Sequence, residues 1–269
     1  MNSGKKNLGF KHDLYFFSRK NLLTFKNIFL AKKSHKFLFI LSPPYCGSTL
    51  LTQIISTSKK ISCNNYIATM EGQLLPELRK HMYNKNRWDE SNVYDWSKIK
   101  SVWMKYWDQS KPVLMDKTTT NIMRFDEIKK QFDNTYAICL VRNPYAVIEG
   151  TMRRNSKSIE FAIEFCIKTL QYQKYNIENN KNLAWITYSE LCDNKDQVNK
   201  KIRAILPEIN DLNFNKIFSA HNFKNKFLKI TNLNHEKISK LKKTDISIIN
   251  KIFSKEKELL DFFNFQIIK

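Results

Sequence analysis

FLFILSPPYCGSTLL, Phe37 to Leu51, is the stretch whose reading decides the fold. Phe37–Leu41 is a continuous apolar run and reads as a short strand buried on both faces. Pro43 and Pro44 end it, and a Gly-Ser-Thr turn opens a helix read over Thr49–Ser56. Strand, glycine turn and helix are how a phosphate-binding loop begins. The lysine that closes such a loop in G-x-x-x-x-G-K-[ST] is missing. A phosphate compound held here would need its cation from another part of the chain.

Outward from that loop, strands and helices alternate. Ile61–Tyr66 reads as a weak second strand, followed by a helix from about Glu71 to Asn84. The polar stretch Trp88–Asp108 carries Trp96, Trp103 and Trp107. Trp103 and Trp107, four apart, share a helical face and read as sealing the domain rather than as a substrate platform. PVLMD (Pro112 to Asp116), TYAICLV (Thr135 to Val141) and LAWITY (Leu183 to Tyr188) are further strands. A long helix is read over Ile159–Asn179, and the C-terminal DISIINKIFSKEKELLDFFNF reads as helix packed at the edge. The expected class is α/β: a P-loop-like parallel β-sheet covered by helices on both faces.

The 269 residues suffice for a sizeable core, and 42% hydrophobic with 13% aromatic content points to a folded chain. The expected organisation is a basic segment, residues 1–35, packed on one α/β domain spanning 36–269. Within that segment Leu14 to Lys33 reads as a basic amphipathic helix, better suited to its own domain than to membrane contact. No transmembrane run and no signal peptide is apparent. The net charge of +21 raises a nucleic-acid partner. The lysines are spread along the chain among many asparagines, however, which reads as a composition bias. Attraction of anionic substrates is the more general inference. Five cysteines without C-x-x-C spacing support neither zinc nor a disulfide framework, and reduced thiols fit a cytoplasmic location. The five histidines lack motif context and read as surface residues.

Ligands of open parallel sheets collect at the carboxyl ends of the strands. Four proposed ends here are polar. The first carries Tyr45, Cys46, Gly47, Ser48 and Thr49, whose amides and hydroxyls converge at a helix start. Another carries Asp116-Lys117-Thr118, where Asp116 suits a magnesium ligand of a nucleotide hydrolase and Lys117 suits a second anion-facing group. Arg142-Asn143-Pro144 offers a bidentate phosphate binder, and Tyr188 offers an aromatic face for a base. Each has a structural alternative, a salt bridge for Arg142 and a core position for Tyr188. Together they describe a pocket for two separate phosphate clusters.

On these residues the chain resembles the sulfotransferases that use 3′-phosphoadenosine-5′-phosphosulfate (PAPS). PYCGST, Pro44 to Thr49, is similar to the family's 5′-phosphosulfate loop. DKT, Asp116 to Thr118, VRNPYAV, Val141 to Val147, and YSEL, Tyr188 to Leu191, match its later elements in order over about 150 residues. EGQLLP, Glu71 to Pro76, resembles the base-bearing element of the tyrosylprotein and bacterial-type branch. The cytosolic branch's histidine position is Thr119 here. The resemblance implies sulfuryl transfer to an acceptor hydroxyl without a metal, leaving adenosine 3′,5′-bisphosphate. It implies Glu71 as general base, Lys117 at the leaving oxygen, loop amides of residues 46–49 on the phosphosulfate and Arg142 on the 3′-phosphate.

Two departures bear on rate. Tyr45 stands where the family has Arg or Lys, and the family's serine eight positions after the phosphate-binding Arg is Gly150, leaving Thr151 as the nearest hydroxyl. Loss of one preorganised donor costs about a hundredfold or more in rate. Two rival readings follow: a sulfotransferase-like nucleotide-binding protein without catalysis, and a P-loop nucleotide kinase using Asp116. The acceptor, a saccharide, a peptide tyrosine or a lipid, possibilities that include anionic glycans, would meet residues 88–108 and the segment after Ile159. Cys46, beside the sulfate in this reading, is an expected alkylation target protected by the bisphosphate.

Overall fold

A computed structural model of the chain describes residues 9–30, 34–215, 218–219 and 227–268. Its elements are α1 (Phe10–Ile28), β1 (Lys36–Leu41), α2 (Ser48–Ile55), β2 (Ile61–Cys63), α3 (Pro76–Met82), α4 (Trp96–Tyr106), β3 (Val113–Asp116), α5 (Asn121–Gln131) and β4 (Thr135–Val141). There follow α6 (Pro144–Asn155), α7 (Ile159–Asn179), β5 (Leu183–Thr187), α8 (Tyr188–Asp193) and α9 (Lys195–Ile205). A two-residue antiparallel pair, β6 (Phe218–Ser219) and β7 (Phe227–Leu228), precedes α10 (Asn234–Ile238), α11 (Lys243–Phe253) and α12 (Lys257–Phe262).

The five main strands form one parallel sheet in the order β2-β3-β1-β4-β5. Side chains of a strand alternate between faces, and β1 shows the consequence. Phe37, Phe39 and Leu41 enter a core with Trp103, Phe132 and Tyr145 beneath α4, α5, α6 and α7. Leu38 and Ile40 enter the opposite core with residues of α2, α8 and α9. Covered on both faces, the strands carry the apolar runs that made them legible. The chain runs from central β1 outward to β2, back through β3, and then crosses to β4. The strand order therefore reverses above β1, and the β3 and β4 ends flank the loop that follows it.

Several boundaries differ from the sequence reading. The second strand stops at Cys63, and the helix expected from Glu71 to Asn84 is a 3-10 turn, Gly72–Leu74, followed by α3 with Pro76 in its first turn. Proline preorganises a helix start and cannot sit inside one. Trp107 follows α4 in extended conformation, so it does not share a helical face with Trp103. Both indoles are nevertheless fully buried, and Trp107 Nε1 donates to Met115 O at 2.9 Å. Tyr188 opens α8 instead of ending β5. The C-terminal helix is two helices, α11 and α12. The N-terminal helix begins at Phe10 and ends at Ile28, and residues 31–33 of its expected span lie outside the described residues.

Helices α5 and α6 escaped the sequence reading. For α6 the signal was present: Asn143 accepts from Tyr145 N at 3.0 Å as N-cap, and Pro144 occupies the first helical position. His35 is buried with its ring against Lys111 O at 3.1 Å, unlike the surface position expected for it, and His221 lies outside the described residues. Among the described residues no helix is long and apolar enough to cross a membrane.

Candidate active site

The loop after β1 turns through two left-handed residues, Tyr45 at φ 70° and Gly47 at φ 92°, before Ser48 begins α2. At Gly47 an added Cβ would lie 2.6 Å from Cδ2 of Tyr188, so only glycine allows that ring to lie against the loop. The same ring carries the Arg142 guanidinium 3.9 Å from its centroid. Arg142, from the end of β4, donates through Nε to Asn234 Oδ1 and through Nη1 to Tyr45 O, both at 2.8 Å. Its Nη2 is buried without a protein partner. An orphaned, buried guanidinium nitrogen has a donor to offer an anion. Tyr188 is fixed in turn by its hydroxyl, which donates to Thr231 O at 3.2 Å, and burial pushes its pKa up to about 12.

On the other side of β1, Lys117 follows the end of β3. Its Nζ lies 3.2 Å from Glu71 Oε1 in an ion pair almost closed to solvent. Gln73 Nε2 donates to the other carboxylate oxygen of Glu71. Burial is the largest influence on Glu71 and favours the protonated form. The Lys117 charge, with hydrogen bonds from Thr69, Gln73 and Lys117, outweighs it and holds the carboxyl below its ordinary value.

Asp116 organises this half of the site. Its Oδ1 accepts from Asn64 Nδ2 at 2.8 Å, Gly72 N at 3.0 Å and Thr118 Oγ1 at 3.3 Å. Its Oδ2 accepts from Asn121 Nδ2 at 2.7 Å and Thr118 N at 2.9 Å. Burial raises its pKa against these hydrogen bonds. Five donors on two oxygens leave little capacity for a magnesium ion, so the metal-ligand alternative for Asp116 does not fit its surroundings. The side chain instead ties the turn carrying Glu71 to the strand end carrying Lys117. Sequence reading missed Asn64, Gln73 and Asn121 as members of this network, since isolated amide residues carry no periodicity or motif.

Two predicted positions behave otherwise than expected. Cys46 is 1% exposed in the core, with its pKa pushed up to about 12 by burial, so its thiol is not the accessible target expected beside the sulfate. Only its backbone remains for the loop. Thr151 is buried in α6 and its hydroxyl donates to Val147 O at 2.9 Å, so that proton is not offered to a ligand. The stretches expected to meet an acceptor pack on each other: Trp88 meets Phe165 edge-on at 4.9 Å, and Lys168 pairs with Glu90 at 2.7 Å.

A profile described as the sulfotransferase family matches residues 38–202. No curated protein matches the sequence. Among solved structures, a sulfotransferase domain from the curacin biosynthetic pathway is similar at 17% identity and TM-score 0.53, over 88% of this chain and all of that one. The sulfotransferase domain of the Synechococcus PCC 7002 olefin synthase is 18% identical with TM-score 0.51, over 83% of this chain and 98% of that one. A mouse sulfotransferase complexed with PAP is 16% identical with TM-score 0.50, over 89% of both chains. At these identities the likeness is one of fold.

Proposed function

This chain belongs to the sulfotransferase family, and on that premise we propose that it transfers a sulfuryl group from PAPS to an acceptor hydroxyl, with Glu71 as general base. The observation that carries the proposal is the buried Glu71–Lys117 pair at 3.2 Å, set at the carboxyl ends of the strands beside the loop after β1. PAPS, when bound, would supply the sulfuryl group, its bond to the 5′-phosphate oxygen breaking as the bond to the acceptor oxygen forms. The backbone amides of residues 46–49 would hold the phosphosulfate at the start of α2, and Arg142 Nη2 would meet the 3′-phosphate. Tyr188 supports the guanidinium from below, so the ring serves Arg142 in addition to any contact with a base.

Glu71 accepts the acceptor's proton at Oε1 or Oε2, and Gln73 keeps the carboxylate oriented. Lys117 answers the question raised by the loop without its lysine: the neighbouring strand of a parallel sheet supplies the cation from the other side. Its ammonium moves from pairing with Glu71 toward the charge that develops on the leaving oxygen. As that occurs the carboxylate loses its strongest acidifying neighbour and becomes a better base. None of these steps requires a metal ion. The net charge of +21 supports anionic acceptors, including acidic glycans, with a peptide tyrosine or a lipid head group bearing the same reactive hydroxyl. Five free, buried thiols support a reducing, cytoplasmic compartment.

A second reading, donor binding without transfer, is favoured by Tyr45, which brings no positive charge to the loop. The deciding experiment has two readouts. Thermal shifts with adenosine 3′,5′-bisphosphate, ADP and ATP, each with and without magnesium, should show selective, magnesium-independent stabilisation by the bisphosphate. Transfer of labelled sulfate from PAPS to a panel of hydroxyl acceptors should then be lost in Glu71→Gln. Preference for magnesium-ATP would overturn the donor assignment. Bisphosphate binding with no transfer to any acceptor would favour the second reading.

A further inference from the structure

Helix α1 carries two opposite apolar surfaces, and only one of them is covered. The inner face buries Phe16 and Leu23 and is pinned by polar contacts. Arg19 Nη2 donates to Cys63 O at 3.0 Å and Tyr106 O at 3.1 Å, Lys20 pairs with Glu77 at 3.0 Å, and Asn27 Nδ2 donates to Trp107 O at 2.9 Å. The outer face presents Phe10, Leu14, Phe17, Leu22, Phe25 and Ile28, each between 53% and 82% exposed. At 100° per residue these fall on one side of a 19-residue helix about 28 Å long. With Phe29 they make up seven of the thirteen large apolar side chains exposed among the described residues. Single exposed apolar residues need no explanation, whereas a continuous stripe marks a binding surface.

Charge identifies what the stripe would meet. Over the whole chain 46 basic residues stand against 25 acidic ones, but residues 1–36 hold nine Lys and Arg against the single acid Asp13. Asp13 is already paired with Arg79 at 3.0 Å. Lys11 is exposed among the outward apolar residues, while Lys20 and Lys26, along the two margins of the stripe, are paired with Glu77 at 3.0 Å and Asp108 at 2.8 Å, so Lys11 is the cation of the stripe outside these pairs. A second copy of the chain would bring one strongly basic segment against another, which opposes self-association through this face. Apolar side chains with flanking cations suit a surface that is apolar at depth and anionic at its rim. We propose that α1 docks this molecule, in the plane of the interface, on an anionic lipid surface.

The test uses the full chain and co-sedimentation with vesicles of phosphatidylcholine alone or with about 30% phosphatidylserine. Binding is expected to the anionic vesicles only and to weaken at about 0.5 M salt. The double variant F17S/F25S should lower binding at least tenfold, and Lys11→Glu by about fivefold or more, the value of one cation near an anionic surface. Ile248→Ser, an exposed apolar site on α11, should bind as the wild type does. Because all these side chains are exposed, the melting temperatures should agree, and Lys11→Glu tests the surface without removing an apolar contact. Absence of wild-type binding to anionic vesicles would overturn the proposal. So would unchanged binding in F17S/F25S, or a dimer in light scattering that F17S/F25S converts to monomer.

Discussion

Tyr45 stands against Gly150: a Cβ added to that glycine would lie 2.9 Å from Tyr45 Cβ and 3.0 Å from Tyr45 Cγ. The two departures from the family pattern are therefore one steric unit. The loop presents Tyr45 in a left-handed conformation, and the root of its side chain rests on α6 where a serine would otherwise project. Cβ and Cγ cannot swing aside as a side-chain tip can, so the contact constrains the loop backbone itself. That backbone includes Tyr45 O, which accepts from Arg142 Nη1 at 2.8 Å. The contact thus reaches the proposed 3′-phosphate position through one hydrogen bond.

Gly150→Ala should accordingly weaken binding of adenosine 3′,5′-bisphosphate by about tenfold. In a helix interior the substitution gains up to about 1 kcal/mol of propensity. Overpacking against an immovable neighbour costs about 1–3 kcal/mol, so the clash wins. Tyr45→Gly removes both Cβ and Cγ at a position whose positive φ glycine accepts, so the double variant G150A/Y45G should recover the melting temperature that G150A alone loses. Isothermal titration and thermal melts of the four proteins decide the matter. Strictly additive effects would show that the two residues do not act on each other.

Gly72 carries a second close approach, with a tighter margin. A Cβ there would meet Asp116 Oδ1 at 2.1 Å, Asn64 Nδ2 at 2.6 Å and Trp103 Nε1 at 2.7 Å. Gly72→Ala must displace the buried carboxylate from at least one donor, at about 1–3 kcal/mol for each polar group left unpaired. A fall in melting temperature of about 5 °C or more is expected for a chain of this size. Because Asp116 ties the Glu71 turn to Lys117, transfer activity should fall further than stability explains. A variant with wild-type melting temperature and activity would remove Asp116 from its organising position.

How much of this was legible in the sequence divides along physical lines. TYAICLV was read to the residue because a strand buried on both faces is a continuous apolar run. Ile159–Asn179 was read likewise, since 21 residues of helical periodicity leave no strand alternative. The elements lost were those whose information is not periodic. Asn143-Pro144 was read as the end of a strand, although the same dipeptide is the cap and first residue of α6. At the site, Lys117 and Arg142 fall at the strand ends that the reading assigned to them, Tyr188 lies one residue past its strand in α8, and Glu71 precedes a 3-10 turn in place of the helix read from it. What it could not supply was pairing: that Tyr45 excludes a side chain at Gly150, that Tyr188 carries Arg142, and that Thr151 is turned to its own helix. Those relations exist between residues 46 and 105 positions apart, or in a rotamer, and no local pattern encodes them.

The cysteines give a prediction opposite to the one suggested by sequence position. All five are buried, and burial raises the pKa of Cys46 and Cys63 to about 12 and that of Cys192 to about 11. Cys139 and Cys166 are pushed higher still by the same cause. A buried thiol with little thiolate reacts slowly. Native protein should therefore show no fast phase with a chromogenic disulfide reagent, and denatured protein should titrate five thiols. Rapid native labelling of Cys46, blocked by the bisphosphate, would place its thiol in the site after all.

The Glu71–Lys117 pair predicts a pH dependence with a definite sign. Glu71 titrates lower in the folded chain than its ordinary 4.5, so the unfolded chain takes up the proton first on acidification. The stability it contributes is complete above about pH 5 and is lost as pH falls through 4.5 toward the folded value. Glu71→Gln removes that titration, so the stability difference between wild type and variant should be constant at neutral pH and shrink below 4.5. At neutral pH the variant leaves Lys117 buried and unpaired, which costs about 3–5 kcal/mol. A bound phosphate would restore a partner to that ammonium. Bisphosphate affinity should therefore hold or rise in Glu71→Gln while the transfer rate falls about 10²–10⁴-fold. Melts from pH 3.5 to 7, titration calorimetry and single-turnover transfer separate the three effects. A variant that loses donor affinity and keeps its rate would assign Glu71 to binding and exclude it as the base.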